Sequence, residues 1–214
     1  MNDKGGRIAD FHFGLRRFAN CFSFFIFSNA VFNPARATLG RLLHLIKSSI
    51  RDSDCRGAPM SEPITFAGTP LGEYRHICAF FHTPDEMYRV LMPFIQDGFK
   101  RGDRGFHIVD ARSWEDHVSR LRDAGIEADA AMERGQLEVR NWHQAYLRDG
   151  HFSQDRMLAL IEEVLQAGPK QGYEITRLVA HMEWALEDMP GVDDLVEYET
   201  RLNYVLPRYK DPVI

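Results

Sequence analysis

From Met60 onward, short apolar runs alternate with longer segments whose apolar positions recur at helical spacing, the pattern of an α/β sheet. Ile77 to Phe81 reads as a first strand. In Thr83-Pro84-Asp85-Glu86, Thr83 is placed to cap a helix, Pro84 suits its first position and Glu86 completes a capping box. Met87, Val90, Leu91, Phe94 and Ile95 then share one face, with Pro93 expected to kink the helix and Gly98 to close it. Gly105 to Asp110 reads as the second strand. Ser113 and Asp116 repeat the capping signal before a helix carrying Trp114, Val118 and Leu121 up to Gly125, and a short helical stretch runs to Arg134. Leu137 to Asn141 is the third strand. A polar, aromatic excursion from Trp142 to Phe152 leads to Ser153, which caps a long helix with Met157, Leu160, Ile161, Val164 and Leu165 inward; Gly168-Pro169 is expected to stop it. Ile175 to Met182 is the fourth strand, followed by Glu183-Trp184-Ala185-Leu186, a Pro190-Gly191 turn and a helix with Leu195, Tyr198, Leu202 and Val205 on one face. Pro212-Val213-Ile214 begins another strand. Strands separated by helices require right-handed crossovers, so the expected fold is α/β: an open, mostly parallel sheet with helices on both faces.

The first 59 residues break this pattern. They hold eight of the fifteen phenylalanines, sustain neither helical nor strand periodicity, and are interrupted at Gly5-Gly6 and Asn33-Pro34. They carry nine Lys/Arg against four Asp/Glu, whereas residues 60–214 carry seventeen against twenty-seven. Met60-Ser61-Glu62-Pro63 reads as a protein start, so residues 1–59 are expected to be a poorly structured leader upstream of it and 60–214 the domain. A targeting signal from Arg16-Arg17 and an amphipathic surface helix from Arg41 to Ile50 are the rival readings. Phe22 to Phe32, broken by Ser23, Ser28 and Asn29, falls short of the ~20 residues of a bilayer span, so no membrane association is expected. With 44% hydrophobic and 27% charged residues in 214, one globular domain is implied. Its acidity argues against direct nucleic-acid binding, which rests on phosphate neutralisation. Cys21, Cys55 and Cys78 form neither a disulfide framework nor a zinc-finger spacing, which places the chain in a reducing, cytoplasmic setting.

Ligands of parallel sheets bind at the strand carboxyl ends. Those positions hold His82 and Thr83, Asp110 and Arg112, Trp142, His143 and the Tyr146 loop, and His181, Glu183 and Trp184. A P-loop requires glycines and a lysine to cradle phosphate, and here the first turn carries none and two acids instead. G-x-G-x-x-G and G-x-S-x-G are absent too. His181-Met182-Glu183 invites a metal reading, but a hydrogen-bonded structural pair serves as well, and no metal or cofactor is assigned. Asp110 reads equally as a helix cap or a ligand contact; Trp142 and Trp184 as core packing or stacking platforms. Glu183, directly after a buried strand, needs a partner or solvent.

Six segments in order carry a resemblance: His76-Ile77-Cys78-Ala79-Phe80-Phe81, Pro93-Phe94-Ile95 to Gly98, Tyr146-Leu147 through Gly150-His151-Phe152, Asp155-Arg156-Met157, Glu183-Trp184-Ala185-Leu186, and Glu197-Tyr198-Glu199 through Arg201-Leu202-Asn203. Together they resemble the MEDS domain, a sensory domain of methanogens and methylotrophs, over about residues 74 to 214. The resemblance implies a fold related to RecA/KaiC-type ATPases without the P-loop, and perception of small hydrocarbon derivatives. Such domains occur alone or joined to DNA-binding, histidine-kinase or anti-sigma output modules; no helix-turn-helix, kinase motif or basic domain is evident here, so the output is expected to pass to another chain. Members continue beyond the position of Asp211-Pro212-Val213-Ile214 into a further strand and helix. A sheet ending in a three-residue stub, lacking that last strand and helix, is expected to leave an open edge that recruits a partner strand or leaves the domain marginally stable; a truncated sequence is the equal alternative.

The leading expectation is a non-enzymatic sensory domain that binds a small, partly apolar ligand and acts through a partner regulator: a histidine kinase, anti-sigma protein or transcription factor. Tyr146 and Trp184 would give apolar shape, Glu183 and Arg156 orientation or pairing with one another, and His76, His82 and Asp110 the mouth. Two rivals stand beside it. One is a nucleotide-dependent or metal-assisted hydrolase with Glu183 as general base near His181. The other is a ligand-independent interaction module of a kinase or anti-sigma system.

Overall fold

A computed structural model describes residues 62–73 and 75–214; the leader, the Met60 start, Cys21 and Cys55 lie outside the described residues. A two-strand hairpin opens the described chain, β1 (Thr65–Phe66) and β2 (Thr69–Pro70), turning through Ala67 and Gly68 at positive φ. Then follow α1 (Pro84–Arg101), β3 (Arg104–Val109), α2 (Trp114–Asp123), α3 (Ala128–Glu133), β4 (Leu137–Asn141), α4 (Gln154–Lys170), β5 (Thr176–Ala180) and α5 (Leu195–Val205).

The three long strands are parallel in the order β4-β3-β5, with Phe106 level with Glu138 and Leu178. Alternation along them separates two cores. Phe106, Ile108 and Leu178 face α4 and α5 through Met157, Ile161, Leu165, Tyr198 and Leu202. Val179 and Leu137 face the other way, onto Leu91, Phe94 and Ile95 of α1, Val118 and Leu121 of α2 and Ala131 of α3. Helices thus cover both faces, as two-sided burial of a parallel sheet requires.

Two expectations about the sheet are corrected. The predicted first strand, Ile77 to Phe81, is reduced to a bridge at His76. The terminal stub is not an open edge. Ile214 N–H donates to Leu178 O at 3.0 Å and Ala180 N–H to Ile214 O at 2.8 Å, while on the other side Ile77 N–H donates to Val213 O at 2.9 Å and Val213 N–H to Arg75 O at 2.8 Å. Pro212 to Ile214 is therefore an inner column, bonded to β5 and to the 75–77 segment.

Helix ends also shift, for packing reasons. α1 continues through Pro93 and past Gly98 to a left-handed cap at Gly102. Gly98 is small because the Arg177 side chain crosses the helix there: a Cβ on Gly98 would lie 2.6 Å from Arg177 Cδ. Arg177 is buried and fully used, donating to Asp103 at 2.8 Å, Asp97 at 2.6 Å and the Phe94 carbonyl at 2.6 Å. α4 likewise runs through Gly168-Pro169, with Thr176 Oγ1 2.5 Å from where a Gly168 Cβ would stand. Ser113 makes no cap bond; Asp110 instead accepts from Arg112 N–H and caps the turn before α2.

Candidate functional site

The carboxyl ends of the strands carry two groups of chemically capable side chains, one on each face of the sheet. On the α4/α5 face the turn after β5 delivers Trp184, fully buried, with its ring 5.1 Å from those of Tyr146 and Phe152; Tyr198 of α5 meets Phe152 edge-on at 5.4 Å. The Trp184 indole N–H is buried without a hydrogen-bond partner. Since an unsatisfied buried donor costs about 1–3 kcal/mol, it is an unusual feature in an otherwise dense aromatic cluster.

Beside this cluster, two periodicities bring four polar side chains together. His76 and Cys78, two apart in extended chain, project to the same side; Glu199 and Asn203, four apart on α5, share a helical face. His76 Nε2 lies 3.3 Å from Glu199 Oε2, and the same carboxylate oxygen is 3.9 Å from Cys78 Sγ. His76 Nδ1 is 3.1 Å from Asn203 Oδ1, while the Asn203 amide nitrogen donates to the Glu199 carbonyl, which fixes the amide's orientation. The ring nitrogen, thiol and carboxylate all fall within 4.8 Å of one another. Burial works against protonation of His76, but the hydrogen bond and charge of Glu199, with Asn203, outweigh it and hold its pKa above the ordinary value. Cys78 is at the surface, yet enough protein surrounds its sulfur that loss of hydration, then Glu199, pushes the thiol up to about 12. Burial, with Glu199 and Cys78 nearby, also raises the Tyr146 phenol well above its usual range.

The opposite face holds a buried imidazole chain. Tyr88 hydroxyl and His117 Nδ1 are 2.8 Å apart, and His117 Nε2 is hydrogen-bonded to His107 Nδ1 at 2.9 Å. His181 sets its ring against those of His117 and Tyr88, at 5.7 and 6.1 Å. His107 Nε2 and His181 Nε2 have no partner. Burial, then the neighbouring imidazoles, pushes His107 down to about 3 and His117 to about 2, and burial lowers His181, so all three are neutral at pH 7.

The residues singled out from the sequence divide accordingly. Tyr146 and Trp184 stack together, and His76 stands beside them with Glu199. Glu183 is exposed in the turn after β5 and His181 is buried; no hydrogen bond joins them among the described residues, and Glu183 acts on His181 through its charge, opposing the lowering by burial. Arg156 does not meet Glu183: its guanidinium holds Asp149 at 2.5 Å and His151 Nε2 at 2.8 Å. Asp110 is bound by Arg112, from both its N–H and its guanidinium, as a cap and loop ion pair. Trp142 is core, its indole donating to the His181 carbonyl at 3.0 Å. His82 is exposed, and its N–H donates to Glu86, while Glu86 N–H donates to Thr83. The start of α1 is thus capped by the chain's own oxygens, beside the acids Asp85 and Glu86, where a P-loop protein would offer N–H groups to phosphate. The sequence weighs Cys78 only beside Cys21 and Cys55, and Glu199 and Asn203 only within the resemblance, although H-x-C in extended chain and E-x-x-x-N on a helix are both visible; their meeting depends on the fold.

A cavity of about 540 Å³ opens at the far end of the sheet, at the start of β3 and β4. Charged and polar side chains line it, Arg104, Arg134, Glu138 and Gln171 among them, which makes it a poor match for a small apolar molecule.

No helix among the described residues is long and apolar enough to cross a membrane. No solved structure matches the chain. Among curated proteins it is similar to the transcriptional repressor DcmR of Methylorubrum extorquens (strain DSM 6343 / CIP 106787 / DM4), at 28% identity over 149 residues, 69% of this chain and 52% of that protein. The chain therefore spans about half the length of this relative. The profile described as MEDS, the MEthanogen/methylotroph, DcmR Sensory domain, matches residues 75–212, more than half of the sequence. The chain belongs to the MEDS family of sensory domains.

Proposed function

We propose that this domain senses a small, partly apolar ligand of the hydrocarbon-derivative class at the Tyr146–Phe152–Trp184 cluster and passes the signal to a partner regulator, without catalysing a reaction. Membership of a sensory family and similarity to a repressor support the regulatory part. The observation that carries the ligand part is the unpartnered Trp184 N–H inside an aromatic cluster at the strand carboxyl ends: it offers one directional donor within an apolar surround, the composition of a small-molecule site. Because Trp184 is fully buried, a ligand reaching it has to displace packed side chains. A ligand so bound has different affinities for the packed and opened forms, which is what shifts a two-state sensor. The self-capped start of α1 favours this reading over the nucleotide hydrolase, and it fits a RecA/KaiC-related frame without phosphate chemistry, working in the cytoplasm.

Calorimetric titration of the full chain with short haloalkanes, alcohols and aldehydes tests the proposal. A saturable change is expected for one class, weakened about tenfold or more in Trp184→Phe, as loss of one ligand hydrogen bond implies. A response untouched by Trp184→Phe would place the ligand elsewhere, and a rise in melting temperature with ATP and Mg²⁺ alone would put the hydrolase first.

A further inference from the structure

We propose that His76, Cys78 and Glu199 form a site for one divalent transition-metal ion, Zn²⁺ by donor type, with the fourth coordination position open. The proposal goes beyond the sensory reading and does not rest on it.

Three arguments carry it. The first is geometric. Zinc bound by nitrogen, sulfur and oxygen at about 2.0–2.3 Å in a tetrahedron separates its ligand atoms by roughly 3.3–3.7 Å. The His76–Glu199 separation is 3.3 Å, the Cys78–Glu199 separation 3.9 Å, and all three donor atoms lie within 4.8 Å of one another, so side-chain movement of about an ångström, within rotamer adjustment, closes the set. The second is the surroundings. A metal-bound imidazole normally donates its other N–H to a carbonyl or carboxylate, which fixes the tautomer and ring angle. Asn203 Oδ1 is in place to accept from His76 Nδ1–H, and it is held there by its own amide bond to the Glu199 carbonyl, which directs Nε2 toward the thiol and carboxylate. The third is charge. Among the described residues no Lys or Arg forms an ion pair with Glu199, so imidazole and thiol are its side-chain partners.

The scaffold holds the donors without help from a metal. His76 is fixed through the parallel bridge to Val213, and Glu199 sits mid-helix on α5. On binding, metal–sulfur, metal–nitrogen and metal–oxygen bonds form, the Cys78 thiol proton passes to solvent, and His76 binds through neutral Nε2 after losing any proton it holds there. Three protein ligands leave a position for water or for a donor atom of a small molecule, and the exposure of Cys78 puts the site within reach of solvent.

The test uses the full chain carrying Cys21→Ser and Cys55→Ser, so that Cys78 is its sole thiol. Stripped with a chelator, it is titrated with Co²⁺ and, in competition with a chromophoric chelator, with Zn²⁺. One equivalent of Co²⁺ is expected to produce a thiolate-to-cobalt absorption in the near ultraviolet that Zn²⁺ abolishes. Cys78→Ser should remove that absorption; His76→Gln and Glu199→Gln should weaken Zn²⁺ about 100-fold or more. Asn203→Ala, which leaves all three ligands, should weaken it about 10–100-fold at unchanged stoichiometry. Absence of the thiolate absorption in the parent chain overturns the proposal even if a variant fails to fold. So does Zn²⁺ affinity that the three ligand substitutions leave unchanged. Because only metal is added, the result is separate from that of the small-molecule titration.

Discussion

His117 is fully buried, with Tyr88 on one ring nitrogen and His107 on the other, and this arrangement has a consequence for acid stability. Folded, His107 and His117 stay neutral far below the ordinary imidazole value of about 6.5, and burial lowers His181 as well; unfolded, all three take up protons there. Their contribution is full above about pH 6.5 and is lost as pH falls, at about 1.4 kcal/mol per unit for each ring. His76, raised by Glu199, acts in the opposite sense, but only above pH 6.5. Asp211, whose carboxyl burial raises to about 6, favours the fold as pH drops below that value, and Asp103, also raised by burial, acts in the same sense. Three imidazoles against two carboxyls leave a net loss. The urea midpoint is expected to fall from pH 6.5 to pH 5, and His107→Gln to make that fall shallower. An unchanged midpoint across this interval would show that the three rings are not held neutral. This chain of rings was not legible in the sequence: His107 lies in a strand, His117 in the next helix and His181 past another strand, and only the parallel register of β3 with β5 brings them together.

At the scale of elements, the helices were placed within a few residues of their predicted ends, because capping residues and apolar spacing act locally. The misplaced boundaries share one cause. Gly98 and Gly168-Pro169 look like stops, yet each glycine lies within a helix where a side chain from β5 passes close, Arg177 over one and Thr176 against the other. Local propensity favours Ala over Gly inside a helix by about 1 kcal/mol. Packing reverses the sign here. Gly98→Ala would press a methyl onto the Arg177 stem while the guanidinium is tied to Asp103, Asp97 and the Phe94 carbonyl, so the stem has little freedom to yield. The expected result is destabilisation of about 1–3 kcal/mol, the range for an overpacked core, read from urea unfolding. A stabilised Gly98→Ala would mean that Arg177 can leave its position at little cost. The aromatic part of the site was partly legible by the same local logic, since Trp184 follows a buried strand at the end where ligands bind. Its neighbours Phe152 and Tyr198 come from a loop and a helix that sequence periodicity does not connect to it.

At the scale of the whole molecule, the sheet joins residues 75–77 to residues 212–214. Val213 pairs with Leu178 on one side and His76 on the other, so the last three residues hold the 75–77 segment against β5. The same bridge positions the His76–Cys78 side of the proposed metal site, while Glu199 comes independently from α5. Deleting residues 212–214 therefore separates two functions of the fold. The β4-β3-β5 ladder and the helices packed on it keep their own hydrogen bonds and apolar contacts. The 75–77 segment loses its only backbone pairing among the described residues, Ile77 N–H to Val213 O and Val213 N–H to Arg75 O. Hydrogen exchange on the deleted chain is expected to show fast amides at 75–78 and at Leu178 and Ala180 of β5, slow amides retained in β3, and Zn²⁺ affinity lowered although all three ligands remain. Unchanged protection at 75–78 would show that side-chain contacts alone, chiefly His76 with Glu199 and Asn203, suffice to seat the segment.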